Sequence, residues 1–469
     1  MNRLLHRPTE KNVPQPAPLE LSIDWESAQA GKCTHSLPGG QPFPTLAQAL
    51  HSNLLCRPLN SRDRIREALL LIFCDPVPRE SRRLWLLTGR QWSQALYWLD
   101  VSGLALYFLD RVVECGLEDM VPPRVLARLR QNLSDNTDRT SEMIAESNAI
   151  QRSFQDAGIS WVTLKGFSLW PVSVPRLELR SQLDLDFLVA EDHAPHARRL
   201  VEDRGYRLHA ISGRSWEFKA GEMPRASLKD LYRATPHRSV ELHIEPASAK
   251  CSLLEKTEQL CLRGVSIPVL APEDLFLGQG LHLFKHLCSE SSRASHMLEF
   301  RRHVMARSQD ADFWNRLRSL AEADPRAPQA LGVATQWITR VMGSFAPEAF
   351  TSWTVDRLPS PVRLWIEVYG RRIVFSGFPG TKLYLLLQQE LTQTGVLAGA
   401  RSVRQALVPR KLPLPIAPAT LDESLRTWIR RHWRQFRFVL SRLRFHVVED
   451  LRYCYESYRW NRLRKRMPA

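Results

Sequence analysis

The sequence predicts an α+β fold: a small mixed sheet embedded between helical subdomains, with a C-terminal basic amphipathic helix. Three observations predict it. Apolar residues recur at helical spacing on both sides of residues 157–248. Inside that range, runs such as 180–189 and 239–245 alternate apolar and polar residues, as half-buried strands do. After a Pro-rich stretch, residues 423–466 contain neither Gly nor Pro and return to helical spacing.

Composition and pattern divide the 469 residues into six ranges. The first carries seven prolines, which disfavours regular structure. The predicted units are a Pro-rich leader at 1–45, a helical subdomain at 46–156, an α/β core at 157–248, a second helical subdomain at 249–345, a mixed extension at 346–408, and a Pro hinge with a basic amphipathic tail at 409–469.

Composition favours an ordinary globular protein, with 44% hydrophobic and 24% charged residues. No apolar run approaches the roughly 20 residues that a membrane-spanning helix needs. The first ten residues lack the apolar segment of a secretory signal. The eight cysteines form no Cys-x-x-Cys pair and are typical of buried thiols in a reducing compartment. We therefore expect a cytoplasmic protein.

Two aspartates separated by one residue, Asp184 and Asp186, lie in the first alternating run, and Glu241 lies in the second. Residues i and i+2 of a strand share a face, so the two aspartates should be about 6.6 Å apart. Carboxylates gathered this way need compensating positive charge, and a pair of Mg²⁺ ions would supply it. A solvated strand edge or a helix-cap pair is the alternative. An EF-hand is excluded, because no Gly and no terminal Glu follow at the required offsets.

A second motif precedes the aspartates. The apolar run 159–164 ends in Lys165-Gly166 and opens into a predicted short helix. A glycine lets the backbone approach a phosphate closely, and helix N-terminal amides beside a lysine favour an anion. The order is therefore strand, Lys-Gly, short helix, Arg180, Asp-x-Asp strand, helix ending at Gly205, and the strand of Glu241.

In this order the motifs resemble the uncharacterised bacterial nucleotidyltransferase-like family of the DNA polymerase β superfamily, over roughly residues 50–340. The matching segments are Leu164-Lys165-Gly166, Arg180, Asp184-Leu185-Asp186-Phe187-Leu188-Val189, Gly205-Tyr206 and Val240-Glu241-Leu242-His243. Two features differ from the superfamily pattern. Its Gly-Ser pair is Gly166-Phe167 here, with Ser168 one place later, and its third acid is Glu rather than Asp.

The resemblance implies an Mg²⁺-dependent transfer of a nucleoside monophosphate from a nucleoside triphosphate, such as ATP, to an unidentified hydroxyl acceptor, with release of pyrophosphate. Asp184 and Asp186 would hold two Mg²⁺ ions, and Glu241 would complete the metal site or act as general base. The residues implied for nucleotide binding are Lys165, Gly166, Ser168 and Arg180, with His243 as a further cleft residue. A non-catalytic nucleotide- or partner-binding module that retains the fold is the alternative function.

Two histidines further along the chain have a spacing that needs its own interpretation. His282 and His286 lie one helical turn apart, which can bind zinc. No Glu-x-x-His context accompanies them, so a structural helix lying over the cleft is the preferred interpretation.

The C-terminal tail carries most of the net charge of +16: residues 401–469 contain 17 Lys/Arg against 5 Asp/Glu. Its apolar residues recur at helical spacing: Leu425, Ile429, Trp433, Phe436, Leu440, Leu443, Val447, Leu451, Tyr455 and Tyr458. A basic amphipathic helix of this kind suits an anionic membrane surface, nucleic acid or an acidic partner protein, bound through 419–469. The tail would then make the protein peripheral at the inner membrane face, or an RNA-associated scaffold. The alternative is an apolar stripe that docks on the protein's own core.

Overall fold

The structure is a computed structural model, and it describes residues 60–221, 231–234, 238–249, 252–290, 293–376, 380–395, 403–408 and 424–466. The predicted leader (1–45) and the Pro hinge (409–418) lie outside the described residues. Most of residues 225–238 also lie outside them.

The first region is helical, as predicted for the described part of 46–156. Its helices are α1 (Ser61–Leu71), α2 (Gly89–Ser102), α3 (Ala105–Glu114) and α4 (Pro123–Asp156). The long helix α4 begins with Pro123 at its first position, where the missing N–H costs nothing. Thr88 and Gln91 form a capping box that begins α2, and Gly103 with φ of +73° ends it.

A seven-stranded sheet follows. Its strands are β1 (Trp161–Leu164), β2 (Asp184–Ala190), β3 (Arg207–Ser212), β4 (Ser215–Ala220), β5 (Arg238–Glu245), β6 (Thr257–Leu262) and β7 (Val265–Leu270). Helix α5 (Ala194–Asp203) joins β2 to β3 and gives way at Gly205, as predicted. The strand order is β3-β4-β5-β2-β1-β7-β6. The sheet is mixed, because β2 runs parallel to β5 and antiparallel to β1, whereas β1 and β7 are parallel.

The sheet continues beyond residue 248, so the range 249–345, predicted to be helical, begins with a β-hairpin. The two residues between β6 and β7, Arg263 and Gly264, have φ of +48° and +83°. Positive φ at both central positions is the geometry of a type I′ hairpin turn, which matches the twist of the flanking strands. The hairpin extends the sheet because β7 pairs with β1.

The remaining elements are helices. They are α6 (Pro272–Leu287), α7 (Ala294–Ala306), α8 (Ala311–Ala321), α9 (Arg326–Met342), α10 (Glu348–Thr351), α11 (Ser360–Val374), α12 (Tyr384–Gln393), α13 (Val403–Leu407) and α14 (Leu425–Arg464). The range 346–408, predicted to be mixed, contains helices and no strand among its described residues. No helix of the described chain is both long enough and apolar enough to cross a membrane.

Helix α4 joins the two large cores of the molecule. Val125 and Leu129, near its start, belong to a core that the N-terminal helices share with α6–α12. Ile150 and Phe154, near its end, belong to the core beneath the sheet. The Phe154 ring packs edge-on against Phe187 of β2, with centroids 5.7 Å apart. The helices before and after the sheet therefore form one body, and α4 fixes that body to the sheet.

The predicted C-terminal helix is confirmed as α14, which docks through its C-terminal half. Trp460 is 1% exposed, and its indole N–H donates to Glu390 at 2.9 Å. Glu456 is buried and accepts a hydrogen bond from Arg372 at 2.7 Å. A buried tryptophan of this kind stabilises a fold by about 3–5 kcal/mol relative to alanine.

The predicted apolar stripe of α14 is not the docked face. All ten of its residues are exposed, from 50% at Val447 to 73% at Leu425. The buried residues Glu449, Tyr453 and Trp460 lie on the other side of the helix, since each residue turns the direction by about 100°. The stripe therefore faces away from the protein's own core over the described length of α14.

Candidate active site

The aspartates of β2 and the acid of β5 lie side by side. Leu185 and Phe187 point into the core beneath the sheet, so Asp184 and Asp186 share the opposite face, as the alternation predicts. Strands β2 and β5 pair in parallel with Asp186 directly opposite Glu241. The sheet register, set by buried apolar residues on one face, thus brings two acidic side chains together on the other.

A lysine and a histidine bind these carboxylates. The Lys165 ammonium lies 2.7 Å from Asp186 Oδ1 and 3.5 Å from Glu241 Oε2. His243 Nε2 lies 3.0 Å from the same Asp186 oxygen and 3.2 Å from Glu241 Oε2. The other oxygen of Glu241 accepts the Ser215 hydroxyl at 2.6 Å. The carboxylate oxygens and His243 Nε2 converge closely enough to surround one cation, and Lys165 Nζ is that cation here.

The turn that carries Lys165 is strained. Lys165 has φ of +50°, a conformation that costs a residue with a side chain about 1–3 kcal/mol and recurs at functional sites. Gly166 follows with φ of +42°, and a Cβ there would collide with the amide of Gln182. Ser168 is buried, and its hydroxyl donates to the Lys165 carbonyl at 2.7 Å. Gly166 and Ser168 therefore shape the turn that aims Lys165, and the Ser168 hydroxyl does not face the carboxylates.

The surroundings of Asp184 favour its neutral form. Burial and the charge of Asp186 raise the pKa of Asp184 to about 6, although Lys165 and Arg180 act in the opposite direction. A further positive charge beside Asp184 would favour its ionised form.

The β5 residues show the opposite balance. Burial alone would raise the pKa of Glu241, but the hydrogen bond and charge of His243, together with Lys165, hold it well below the usual range. Burial likewise opposes the charged form of His243, yet its bonds to Asp186 and Glu241 raise its pKa above the ordinary value.

Arg180 is held by residues of three helices that are distant from it in the sequence. Its Nε donates to Glu299 of α7 at 3.2 Å, and the same oxygen accepts the Tyr107 hydroxyl of α3 at 3.0 Å. Asn136 of α4 donates to the Arg180 carbonyl at 3.2 Å. Arg139 of α4 donates to the Gln182 carbonyl at 3.0 Å. Helices that precede the sheet in the chain and a helix that follows it thus hold the segment that leads into β2.

Two adjoining cavities, each of about 190 Å³, lie between this end of the sheet and the helices. Both are lined by Lys165, Arg180, His282, His296 and Glu299. The polar cavity adds, among others, Asp184, Asp186, His286 and Arg293. The second is mainly apolar, with Leu164, Leu169, Leu253, Leu270 and Leu275 among its lining residues. Helix α6 therefore lies over the cleft, as the sequence predicts.

Several residues of the site carry no local sequence signal. Glu299 contacts Arg180, Ser215 contacts Glu241, and Tyr107 contacts Glu299. Each of these three residues comes from a distant element and stands in no motif. His296 joins His282 and His286 across two helices, so the i, i+4 spacing reveals only two of the three. An alternating pattern identifies a strand face, whereas these contacts depend on how helices pack against it.

Residues 88–336, more than half of the chain, match the family described as uncharacterised nucleotidyltransferase. The match includes the whole sheet, the cleft and helices α6 and α7. No curated protein matches the chain. Among solved structures, an antigenic nucleotidyltransferase-like protein from Paracoccidioides brasiliensis is similar at 14% identity and a TM-score of 0.26, over 41% of this chain and 92% of that one.

Replacing Lys165 tests whether its positive charge stabilises the carboxylates of the site. In Lys165→Met, the carboxylates of Asp186 and Glu241 lose their cation, so metal-free protein should be about 1–3 kcal/mol less stable. Added Mg²⁺ should restore part of that loss. Thermal unfolding in chelator and in Mg²⁺ measures both effects.

Lys219→Met is the matched control, because Lys219 pairs only with the partly exposed Glu217 at 3.0 Å among the described contacts. Its stability should stay within about 0.5 kcal/mol of wild type. A Lys165→Met protein as stable as wild type in chelator would contradict the proposed charge balance.

Proposed function

The chain belongs to the family of uncharacterised nucleotidyltransferases, and on that basis we propose an Mg²⁺-dependent enzyme of the DNA polymerase β superfamily. It moves a nucleoside monophosphate from a nucleoside triphosphate, such as ATP, to a hydroxyl acceptor and releases pyrophosphate. The observation that carries the proposal is the in-register pair of Asp186 and Glu241, with Asp186 lining a cavity that Lys165 and Arg180 also line.

The donor set fits magnesium. Mg²⁺ prefers carboxylate oxygens, and Asp184, Asp186 and Glu241 offer them on one face of two adjacent strands. Lys165 Nζ already places positive charge among them, which supports a site for a cation at that point. Two bound Mg²⁺ ions would withdraw charge from the phosphate oxygens and favour ionisation of the acceptor hydroxyl.

The basic side chains would bind the triphosphate. Lys165 would be released from Asp186 and Glu241 if bound cations neutralised those acids, and its ammonium could then bind the phosphates. Arg180 presents a planar guanidinium to the same cavity while Glu299 holds its Nε. Because Glu299 holds its side chain and Asn136 its backbone, Arg180 would help to orient the triphosphate, and orientation is a large part of catalysis in phosphoryl transfer.

The reaction is an in-line displacement. The acceptor oxygen bonds to the α-phosphorus while the bond from that phosphorus to the bridging oxygen of the β-phosphate breaks. The hydroxyl proton passes to a carboxylate of the cluster, and pyrophosphate leaves with the bonding electrons. Both oxygens of Glu241 already accept hydrogen bonds, from Ser215 and His243, which supports a role in holding positive charge rather than in taking the proton.

One observation favours a second function, nucleotide binding without transfer. Lys165 and His243 neutralise Asp186 and Glu241 through the protein's own groups, so the acids are partnered without metal. A binding module would keep these ion pairs when the nucleotide is bound. In an enzyme, contacts with Mg²⁺ would replace these ion pairs.

Pyrophosphate release and transfer of α-labelled nucleotide to acceptors in cell extract separate the two functions. Wild-type protein should transfer label only with Mg²⁺, and Asp186→Asn should lower the rate by at least about 100-fold through loss of charge stabilisation. The control Asp192→Asn changes an exposed aspartate in the turn that follows β2 and should be unaffected. Nucleotide binding without label transfer, or full activity in Asp186→Asn, would refute nucleotidyl transfer.

We also propose that α14 holds this cytoplasmic enzyme at an anionic membrane surface, the inner face of the cell membrane. The helix has 40 residues and is therefore about 60 Å long. Residues 425–447 contain seven arginines and no acidic residue. These arginines accompany the exposed stripe that includes Trp433, Phe436 and Leu440. Apolar and aromatic side chains beside arginine match the lipid boundary of an anionic bilayer. A second copy of α14 carries the same excess of positive charge, so repulsion between the arginines disfavours pairing of the stripe with another copy of the chain.

Cosedimentation of the full chain with phosphatidylglycerol and phosphatidylcholine vesicles tests this placement. Binding should require the anionic lipid, and Trp433→Gln/Leu440→Gln should weaken it by at least about 10-fold through lost apolar burial. The control Ile211→Gln removes an exposed apolar side chain from β3 and should leave binding unchanged. Equal binding of both lipids, or salt-sensitive binding of RNA without vesicle binding, would refute the membrane assignment.

A further inference from the structure

Three histidines converge on the roof of the cleft, outside the carboxylate cluster. His282 and His286 lie one turn apart on α6, and His296 lies in the first turn of α7. The three ring centroids are 4.4, 5.2 and 5.0 Å apart. One ligand nitrogen from each ring can be chosen so that all three lie within 4.8 Å of one another. Two helices that pack side by side thus present three imidazoles to one point.

The cluster includes a buried ring nitrogen whose hydrogen bonding is unsatisfied. His296 Nδ1 is buried and has no hydrogen-bond partner in the described structure. His282 Nε2 and His286 Nε2 are 3.0 Å apart, so one nitrogen donates a proton to the other. A buried polar atom without a partner costs free energy, and a bound ligand at the cluster would give the three rings a common partner.

The spacing suits a transition-metal ion. Zn–N bonds of about 2.1 Å in a tetrahedron place ligand nitrogens about 3.4 Å apart. The 3.0 Å separation of His282 Nε2 and His286 Nε2 is close to this value, so small ring rotations suffice. Nitrogen ligands prefer borderline divalent metals such as Zn²⁺, whereas Mg²⁺ prefers oxygen. The histidine cluster and the carboxylate cluster therefore select different ions.

The charged side chains that line the cavity balance in number. The polar cavity that His282, His286 and His296 help to line also contains Lys165, Arg180 and Arg293. The acidic residues lining this cavity are Asp184, Asp186 and Glu299. The three positive and three negative side chains balance, so a divalent ion on neutral imidazoles would leave the cavity positive and receptive to an anion.

We propose that His282, His286 and His296 bind one Zn²⁺-class metal ion, with its remaining coordination position open to the polar cavity. Three protein ligands with one open position are the arrangement of reactive zinc sites, and water or a phosphate oxygen would fill it. The site stands on the histidine geometry alone and does not depend on nucleotidyl transfer.

Equilibrium dialysis of the chelator-stripped full chain against Zn²⁺, with Co²⁺ absorption as a spectroscopic probe, tests the site. We expect one tightly bound Zn²⁺ per chain and a Co²⁺ spectrum with nitrogen ligation. His286→Gln and His296→Gln, which keep side-chain volume, should each weaken binding by more than about 100-fold. Asp186→Asn should retain the metal, which separates this site from the carboxylates.

His303→Gln is the matched control, because His303 is a buried histidine two turns further along α7, hydrogen-bonded to Gln279. It should bind Zn²⁺ like wild type. Thermal unfolding of each variant identifies any that fail to fold, and a folded His296→Gln protein carries the test. No Zn²⁺ uptake by wild type, uptake unchanged in folded His296→Gln and His286→Gln proteins, or uptake abolished by Asp186→Asn would overturn the proposal.

Discussion

The parallel pairing of β2 with β5 is the constraint on which the site depends. Apolar side chains such as Phe187 and Leu242 are buried beneath the sheet, and this fixes the register. The same register sets Asp186 directly beside Glu241 on the other face. Two carboxylates on neighbouring strands repel each other and need a positive charge between them. In this structure Lys165, held in a strained turn, provides that charge. Acids that are neutralised by a lysine in this way contribute little to the stability of a sheet, so their presence here indicates a function.

The helical body turns this sheet edge into a cleft. Glu299, from a helix after the sheet, accepts hydrogen bonds from Tyr107, from a helix before it, and from Arg180. Helix α4 runs from the helical core into the core beneath the sheet and binds the segment before β2. The cleft thus has an acidic floor on the strands and a roof of histidines on α6 and α7. The family match over residues 88–336 covers both surfaces.

Local sequence patterns predict the strand faces and the helix end correctly. The i, i+2 alternation places Asp184 and Asp186 on one face, the strand of Glu241 lies beside them, and α5 gives way at Gly205. The features that the sequence does not reveal depend on packing at long range. Residues 257–270 form a hairpin whose turn signal, Arg263-Gly264, is weak, and Glu299 and His296 reach the site only through helix packing. On α14, the docked face is built from polar and aromatic residues such as Glu456 and Trp460, whereas the more hydrophobic stripe stays exposed.

The most direct test of a metal-dependent carboxylate site is Mn²⁺ binding followed by electron paramagnetic resonance, with Mn²⁺ in place of Mg²⁺ and a non-hydrolysable nucleoside triphosphate. Wild-type protein should order two Mn²⁺ ions per chain when the analogue is present, and Glu241→Gln should lose at least one of them. Retention of both ions by Glu241→Gln, or the absence of any ordered Mn²⁺ in wild type, would contradict the assignment of Asp184, Asp186 and Glu241 as its ligands.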